Sequence, residues 1–450
     1  MNSKKQTVSA IFLISVVFLS VGCSSTDPWG VMGNVPDGPS QQFHPETDIL
    51  EPDRLLDNTV SKEQIGEEQL TLEQCISFAL ENNPRTRESW YAARAASKFL
   101  GAGKASCLPE AEFFSGAARA DSADARAGSG IREAGPNTTY DAGFGASYLL
   151  YDGGRRSAGI DEAEARALIA NFRHNTTVQD LVLEVQESYY RLLAAKWSED
   201  VAKETLHQRN SHLEAARQRK QAGVVSRSDV LKARTEVENA RLSLVRTRSE
   251  IDIASGELAT AMNLPVSKPL EVKKGPEEIQ KRNLTTVDDL LQKAAKNRPA
   301  LQSALAQVRR AQANVDAARA DYYPDLTVSA DYGWREDTFP PAEEEWSTRL
   351  GLKFPIFTGF ERSYRFKMAE NELEQSRANY EDALSSVALE VWSAHSNVKE
   401  ADQAIEAAQS LVDSAEESLN VAEEEYKTGV GSIIELTDAQ TGLCCKKSTA

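Results

Sequence analysis

Residues Asp325-Leu326-Thr327-Val328-Ser329-Ala330-Asp331-Tyr332-Gly333-Trp334 alternate in polarity at every position. Leu326, Val328, Ala330, Tyr332 and Trp334 fall on one face, and Thr327, Ser329, Asp331 and Gly333 on the other. A second run follows, in which Trp346, Thr348, Leu350, Leu352, Phe354 and Ile356 alternate with Ser347, Arg349, Gly351, Lys353 and Pro355. A period of two held over about ten residues, apolar on one face and polar or charged on the other, matches a strand that crosses a bilayer within a β-barrel. Strands are therefore predicted over about 325–334 and 346–357. A soluble sheet with one face on a core would alternate in the same way, but the long helical segments on both sides of the hairpin weigh against it.

The same landmarks occur earlier in the chain. Tyr140, Ala142, Phe144, Ala146, Tyr148 and Leu150 alternate with Asp141, Gly143, Gly145, Ser147 and Leu149, and a shorter run surrounds Phe113, predicting strands over about 110–120 and 140–152. Upstream, Asn83-Pro84 corresponds to Arg298-Pro299 and Leu108-Pro109-Glu110 to Tyr323-Pro324-Asp325, both at an offset of about 215 residues. Downstream, Tyr151-Asp152-Gly153 corresponds to Phe357-Thr358-Gly359, and Ala222-Gly223-Val224 to Thr428-Gly429-Val430, now at about 206. The chain is a duplication in which only the connection between the paired strands changes length, as an exposed loop can.

Each hairpin leads into a long helix. No proline or glycine occurs from Ile160 to Ala222 or from Phe360 to Thr428. At about 1.5 Å per residue these rods reach roughly 100 Å, too long for a globular core. Apolar or small residues recur at alternating spacings of four and three through Val387, Val391, Ala394, Val398, Ala401 and Ile405, and again through Val230, Ala233, Val237, Ala240 and Leu244. Such heptad seams suit a helical barrel or a coiled coil, and the small residues allow close approach.

Four strands per chain cannot close a membrane barrel, which needs about eight or more, and an open edge in lipid leaves backbone groups unpaired. Several chains must share one barrel. Three copies would supply twelve strands, with Asp331, Arg349 and Lys353 facing a wet lumen.

The formal net charge of −17 leaves no basic stripe to neutralise phosphates, so nucleic acid is excluded as a partner. Lys4 and Lys5 precede an apolar stretch from Ile11 to Val21 that is too short to span a bilayer comfortably, followed by Gly22-Cys23-Ser24-Ser25. This resembles a bacterial lipoprotein signal in which Cys23 becomes the lipidated first residue, although Ser20 replaces the usual aliphatic residue; an ordinary cleaved signal with an incidental cysteine is the alternative. By that resemblance, Ser24 directs the chain to the outer membrane. The expected organisation is a signal peptide at 1–22, an extended tether at 23–61, a first repeat at 62–264, a linker at 265–283 and a second repeat at 284–450.

In their order, repeated twice, these features resemble the TolC-type family of outer-membrane efflux channels. The resemblance covers about residues 70 to 442 and rests on the tandem copies, the Tyr323-Pro324-Asp325 strand entry, Phe357-Thr358-Gly359-Phe360, and Tyr426-Lys427-Thr428-Gly429-Val430-Gly431-Ser432 followed by Asp438-Ala439-Gln440. It implies a predominantly helical α+β fold. Tandem long helical hairpins would form a periplasmic helical barrel, and four strands per chain would enter a twelve-stranded transmembrane β-barrel in a homotrimer. It further implies a passive conduit for an inner-membrane transporter and a periplasmic adaptor protein, which would dock at the tip formed by Gly223, Val224 and Ser226 and by Gly429, Val430 and Ser432. Glu435 and Asp438, with Asp229 in the first copy, match acidic positions that ring the periplasmic aperture in the family.

No cofactor or metal site is expected, since the five cysteines lack ligand spacing and His207 and His212 do not share a helical face. No catalytic constellation stands out. Only 21 residues follow Gly429, against about 41 from Gly223 to Leu264, so the last helix is expected to be truncated. That leaves a lipid-anchored periplasmic coiled-coil protein without a pore, or a channel disabled by truncation, as the alternative readings.

Overall fold

The computed structural model describes residues 38–42, 69–120, 137–266, 270–273, 286–428, 430–432, 435–436, 438–440 and 442. The expected signal, including Cys23, and Gly429 of the tip lie outside the described residues.

Helix α1 spans Leu72–Asn82 and opens on a capping box: Thr71 accepts from the Gln74 amide, and the Gln74 side chain accepts from Thr71 N–H at 2.9 Å. It stops at Asn83, whose ψ of 131° is the extended value that a following proline imposes. Pro84 then begins α2, Pro84–Ala105, as the first helical residue, where its missing N–H costs nothing. The second copy repeats the device. Helix α5, Val287–Asn297, is capped by Thr286 and broken at Arg298, and Pro299 begins α6, Pro299–Ala320.

Strands β1 (Glu110–Ala120), β2 (Asn137–Tyr151), β3 (Asp325–Glu336) and β4 (Glu344–Lys353) form one antiparallel sheet in the order β1-β2-β3-β4. The two copies meet at β2 and β3, where Phe144 lies opposite Tyr332. Strand β4 starts before the expected position and ends at Lys353, so Phe354 and Ile356 lie outside it. Pro355 has no N–H to donate, which ends the ladder there.

Two rods leave the sheet, α3 over Arg155–Gln221 and α7 over Glu361–Thr428, 67 and 68 residues long. The entry to α3 needs glycine for two reasons: Gly153 has φ +66°, and a Cβ there would lie 2.5 Å from Cβ of Tyr323 in the second copy. Helices α2, α3, α6 and α7 lie side by side in that order, so the helical layer follows the strand order. Helix α4, Arg227–Ala261, returns along the far half of α3. Helices α1 and α5 pack against α3 and α7 respectively.

The largest core lies where α1, the middle of α3, the end of α4 and the segment around Val272 converge. Cys75, Leu181, Val185, Leu192, Leu258 and Met262 are buried there. Segment 270–273 is tied in by Leu70 N–H to Glu271 O at 2.8 Å and Lys273 N–H to Leu70 O at 3.0 Å. The two predicted seams fare differently. Val237, Ala240 and Leu244 of α4 are buried against α3, as are Ala254 and Leu258 further along it, whereas of the α7 seam named above Val387 is buried and Val398 and Ile405 stay exposed. Helix α7 is buried instead near its start, at Ala369 and Leu373, which pack on Ala311 and Val315 of α6.

Candidate functional site

The sheet separates its side chains by face. Ala142, Phe144, Tyr332, Trp346, Leu350 and Leu352 share one face, and Phe113, Trp346, Leu350 and Leu352 are between 65% and 73% exposed. Apolar area of that size left uncovered marks a surface that meets something other than water. The other face carries Glu112, Asp141, Asp331, Arg335, Glu345, Arg349 and Lys353. The Asp331 carboxylate accepts from Ser347 Oγ at 3.1 Å, and Arg335 pairs with Glu345 at 3.2 Å. Lys353 stands opposite Asp325, which Arg155 approaches at 3.4 Å. Asp331 and Arg349 line one cavity of about 370 Å³ that does not include Lys353.

Among the described residues β1 and β4 each have a partner strand on one side only. Their outer edges present unpaired backbone donors and acceptors.

At the opposite end, α3 turns into α4 through a glycine-terminated cap. Gly223 has φ +76°, Gly223 N–H donates to Lys220 O at 3.0 Å and Val224 N–H to Arg219 O at 2.9 Å, which satisfies the last carbonyls of α3. Ser226 then caps α4. Its backbone N–H donates to the Asp229 carboxylate at 2.9 Å, and Asp229 N–H donates back to Ser226 Oγ at 3.3 Å. The Ser226 hydroxyl also donates to the Asp229 carboxylate at 2.8 Å, and this bond first, with the one from Ser226 N–H second, holds the Asp229 carboxyl below its usual range.

The second copy repeats the arrangement. Val430 N–H donates to Glu425 O at 3.0 Å, Ser432 N–H to the Glu435 carboxylate at 2.7 Å, and Glu435 N–H to Ser432 Oγ at 3.2 Å. The bond from Ser432 N–H holds the Glu435 carboxyl down in turn. Asp229 and Glu435 are thus equivalent first-turn capping residues, and Lys232 takes the place of Asp438. Val224 and Val430 are 72% and 84% exposed, so each tip presents an apolar side chain.

The two tips share one cleft of about 340 Å³. Asp438 lines it together with Asp229 and Lys232, while Glu435 does not. Arg219 stacks over the Tyr426 ring at 3.8 Å, and His212 touches the buried Gln440. Burial first, and the nearby Arg209 second, lower the His212 pKa, with Glu423 opposing. No spacing in the sequence marks Arg219, Tyr426, His212 or Gln440 as partners, because each pair joins different copies.

His174, fully buried on α3, ties down segment 38–42. Its Nε2 lies 2.7 Å from Gln41 O and its Nδ1 2.8 Å from Ser89 Oγ. A carbonyl can only accept, so Nε2 carries the proton and Nδ1 accepts from Ser89. Among the described residues, no group of three or more His, Cys, Asp or Glu side chains is placed to hold a metal, and no helix is long and apolar enough to cross a membrane.

The family model described as "Outer membrane efflux protein" matches residues 75–264 and 290–444. Protein CyaE of Bordetella pertussis is 27% identical over 377 residues, which is 83% of this chain and 78% of that protein. The probable outer membrane lipoprotein SilC of Salmonella typhimurium is 25% identical over 326 residues, covering 71% of this chain and 70% of its own length. Among solved structures, the outer membrane protein VceC of Vibrio cholerae superposes with a TM-score of 0.76 at 18% identity, over 84% of this chain and 91% of that one.

Proposed function

This chain belongs to the outer membrane efflux protein family, and on that premise we propose that it is the passive exit duct of a tripartite efflux or type I secretion system. It is a channel protein rather than an enzyme, and it resides in the outer membrane and extends into the periplasm. Three copies close one twelve-stranded barrel and one helical tunnel, through which an inner-membrane transporter drives substrate by way of a periplasmic adaptor. The duct supplies no energy.

The observation that carries this reading is the sheet with two unpaired edges and an exposed apolar face. In hydrocarbon an edge must be paired, and β4 of one copy against β1 of the next pairs every edge once the ring closes. The same rotation sets α7 of one copy beside α2 of the next, covering the exposed α7 seam. Lipid meets Phe144, Leu350 and Leu352, while Asp331, Arg349 and Lys353 line the water-filled lumen.

Cys23 carries the acyl anchor, a reading supported by the signal-like residues before it and by the lipoprotein among the relatives. The exposed tips at Gly223, Val224 and Ser226 and at Val430 and Ser432, together with Gly429 beside them in the sequence, receive the adaptor. Asp229, Glu435 and Asp438 ring the periplasmic aperture and favour cations there.

Light scattering on detergent-extracted protein, paired with single-channel recording in planar bilayers, tests the proposal. A trimer with steady conductance is expected. A monomer that never opens a pore overturns it.

A further inference from the structure

We propose that the upper tunnel carries a binding site for organic anions, built from Arg166 and Arg173 of α3 and Arg310 of α6. Nothing in the acidic composition announces it: the chain carries −17 overall. Yet one concavity of about 840 Å³ is lined by these three arginines together with Arg85 of α2. Arg85 is already occupied, with its guanidinium 2.8 Å from Glu184. Arg166, Arg173 and Arg310 are exposed and form no ion pair among the described residues. Two carboxylates, Glu88 and Glu162, share the concavity, so the open groups remain one positive charge in excess.

Its position follows from the packing. Helices α2, α3 and α6 are neighbours in one layer. A layer of three helices shares a single hollow only on the side toward which it curls, and that side faces the tunnel axis in a closed ring. The α3 stripe of Glu162, Arg166 and Arg173 also lies about 110° round the helix from His174, Val178, Leu181 and Val185, at roughly 100° per residue. That second stripe holds segment 38–42 and packs in the core with α1.

The ligand class follows from the donors. Guanidinium groups present planar forks that match carboxylate and sulfonate oxygens and bind them more tightly than a point charge would. Phe99 lines the same hollow and stacks beneath Arg166 at 4.5 Å, giving an aromatic portion of the ligand an apolar surface beside the charge. Aromatic carboxylates and sulfonates fit this combination. In a trimer the site repeats around the axis and forms a basic belt above an acidic aperture.

The belt's place inside a tunnel rests on the conduit reading; the binding itself does not. Naphthalene trisulfonate serves as the probe, titrated by calorimetry into the detergent-extracted full chain and added to single channels in planar bilayers. The triple variant R166Q/R173Q/R310Q changes only exposed side chains and is expected to keep the wild-type melting temperature. It should lose at least about tenfold in affinity, lose block by the probe, and shift the reversal potential toward cations. Equal binding by wild type and variant, or no binding by either, overturns the proposal. Arginine-dependent binding without any conductance leaves the anion site standing and sinks the conduit reading instead.

Discussion

The Asn83 side-chain amide donates to the carbonyl of Ala261 across 2.9 Å, joining residues 178 positions apart and setting the start of α2 directly on the end of α4. Asn83 also accepts from Arg85 N–H at 2.9 Å, and Asn263 reciprocates with a bond to Asn82 O at 3.1 Å. Two separate helices thereby continue as one column beside the unbroken α3. Asn83 is only 2% exposed and its bond to Ala261 is buried, so the polar groups of that bond need each other, whereas the Asn263 bond lies at the surface.

Replacing Asn83 by Ala removes a cap and leaves the Ala261 carbonyl without its donor. A loss of about 1–3 kcal/mol is expected. Thermal melting of the extracted protein reads it. An unchanged melting temperature would show that the column does not depend on this bond.

Gly153 and Gly359 occupy matching strand-to-helix entries, both at positive φ, but their surroundings differ. A Cβ at Gly153 meets Tyr323 and the Ala320 carbonyl, whereas one at Gly359 meets open space. Gly359→Ala should therefore cost about 1 kcal/mol of backbone strain, and Gly153→Ala clearly more because Tyr323 must move. Comparing the two melting temperatures checks this, and equal effects would contradict it.

Acidification should weaken the fold through its buried histidines. Burial lowers the His174 pKa below 6.5, partly offset by the Gln41 carbonyl, and burial lowers that of His212 as well. The unfolded chain then takes up these protons first as pH falls. Stability is flat above about pH 6.5 and declines below it, by at most about 1.4 kcal/mol per pH unit for each histidine. Melting temperatures at neutral and mildly acidic pH should show this slope, and the double variant H174N/H212N should flatten it.

The two faces of β4 should respond oppositely to charge. Leu350→Arg places a cation on the apolar face and is expected to cost about 2–4 kcal/mol where that face meets mid-bilayer lipid. Arg349→Leu, one residue away on the polar face, should assemble normally and change conductance. Heat-resistant oligomer on gels, with bilayer recording, separates these outcomes; normal assembly of the Leu350 variant would reverse the assignment of faces.

The tip carboxylates should not be equivalent. Glu435 accepts from Ser432, whereas Asp438 faces the shared cleft. Asp438→Asn is expected to reduce cation preference more than Glu435→Gln does, measured as reversal potential in a salt gradient. Glu435→Gln should act mainly locally, by weakening the bond that its side chain accepts from Ser432 N–H.

Much of this architecture was legible before any coordinates. Asn83-Pro84 and Arg298-Pro299 announce helix breaks because proline constrains the residue before it. The alternation through Leu326 to Trp334 announces a two-faced strand, and Gly223 announces a reversal. Each of these signals is carried by neighbours along the chain.

The sequence by itself determined the duplicated order of helices and strands, the faces of the strands, the lengths of the rods and the family they belong to, because periodicity and turn chemistry act over a few residues. Only the tertiary structure decided which distant groups meet. It set Asn83 on Ala261, Tyr323 against Gly153 and Tyr426 under Arg219, and it gathered Arg166, Arg173 and Arg310 around one hollow. Such pairs form when separate helices pack at a particular register and angle. Register is set by the summed fit of many side chains, and no local motif records it.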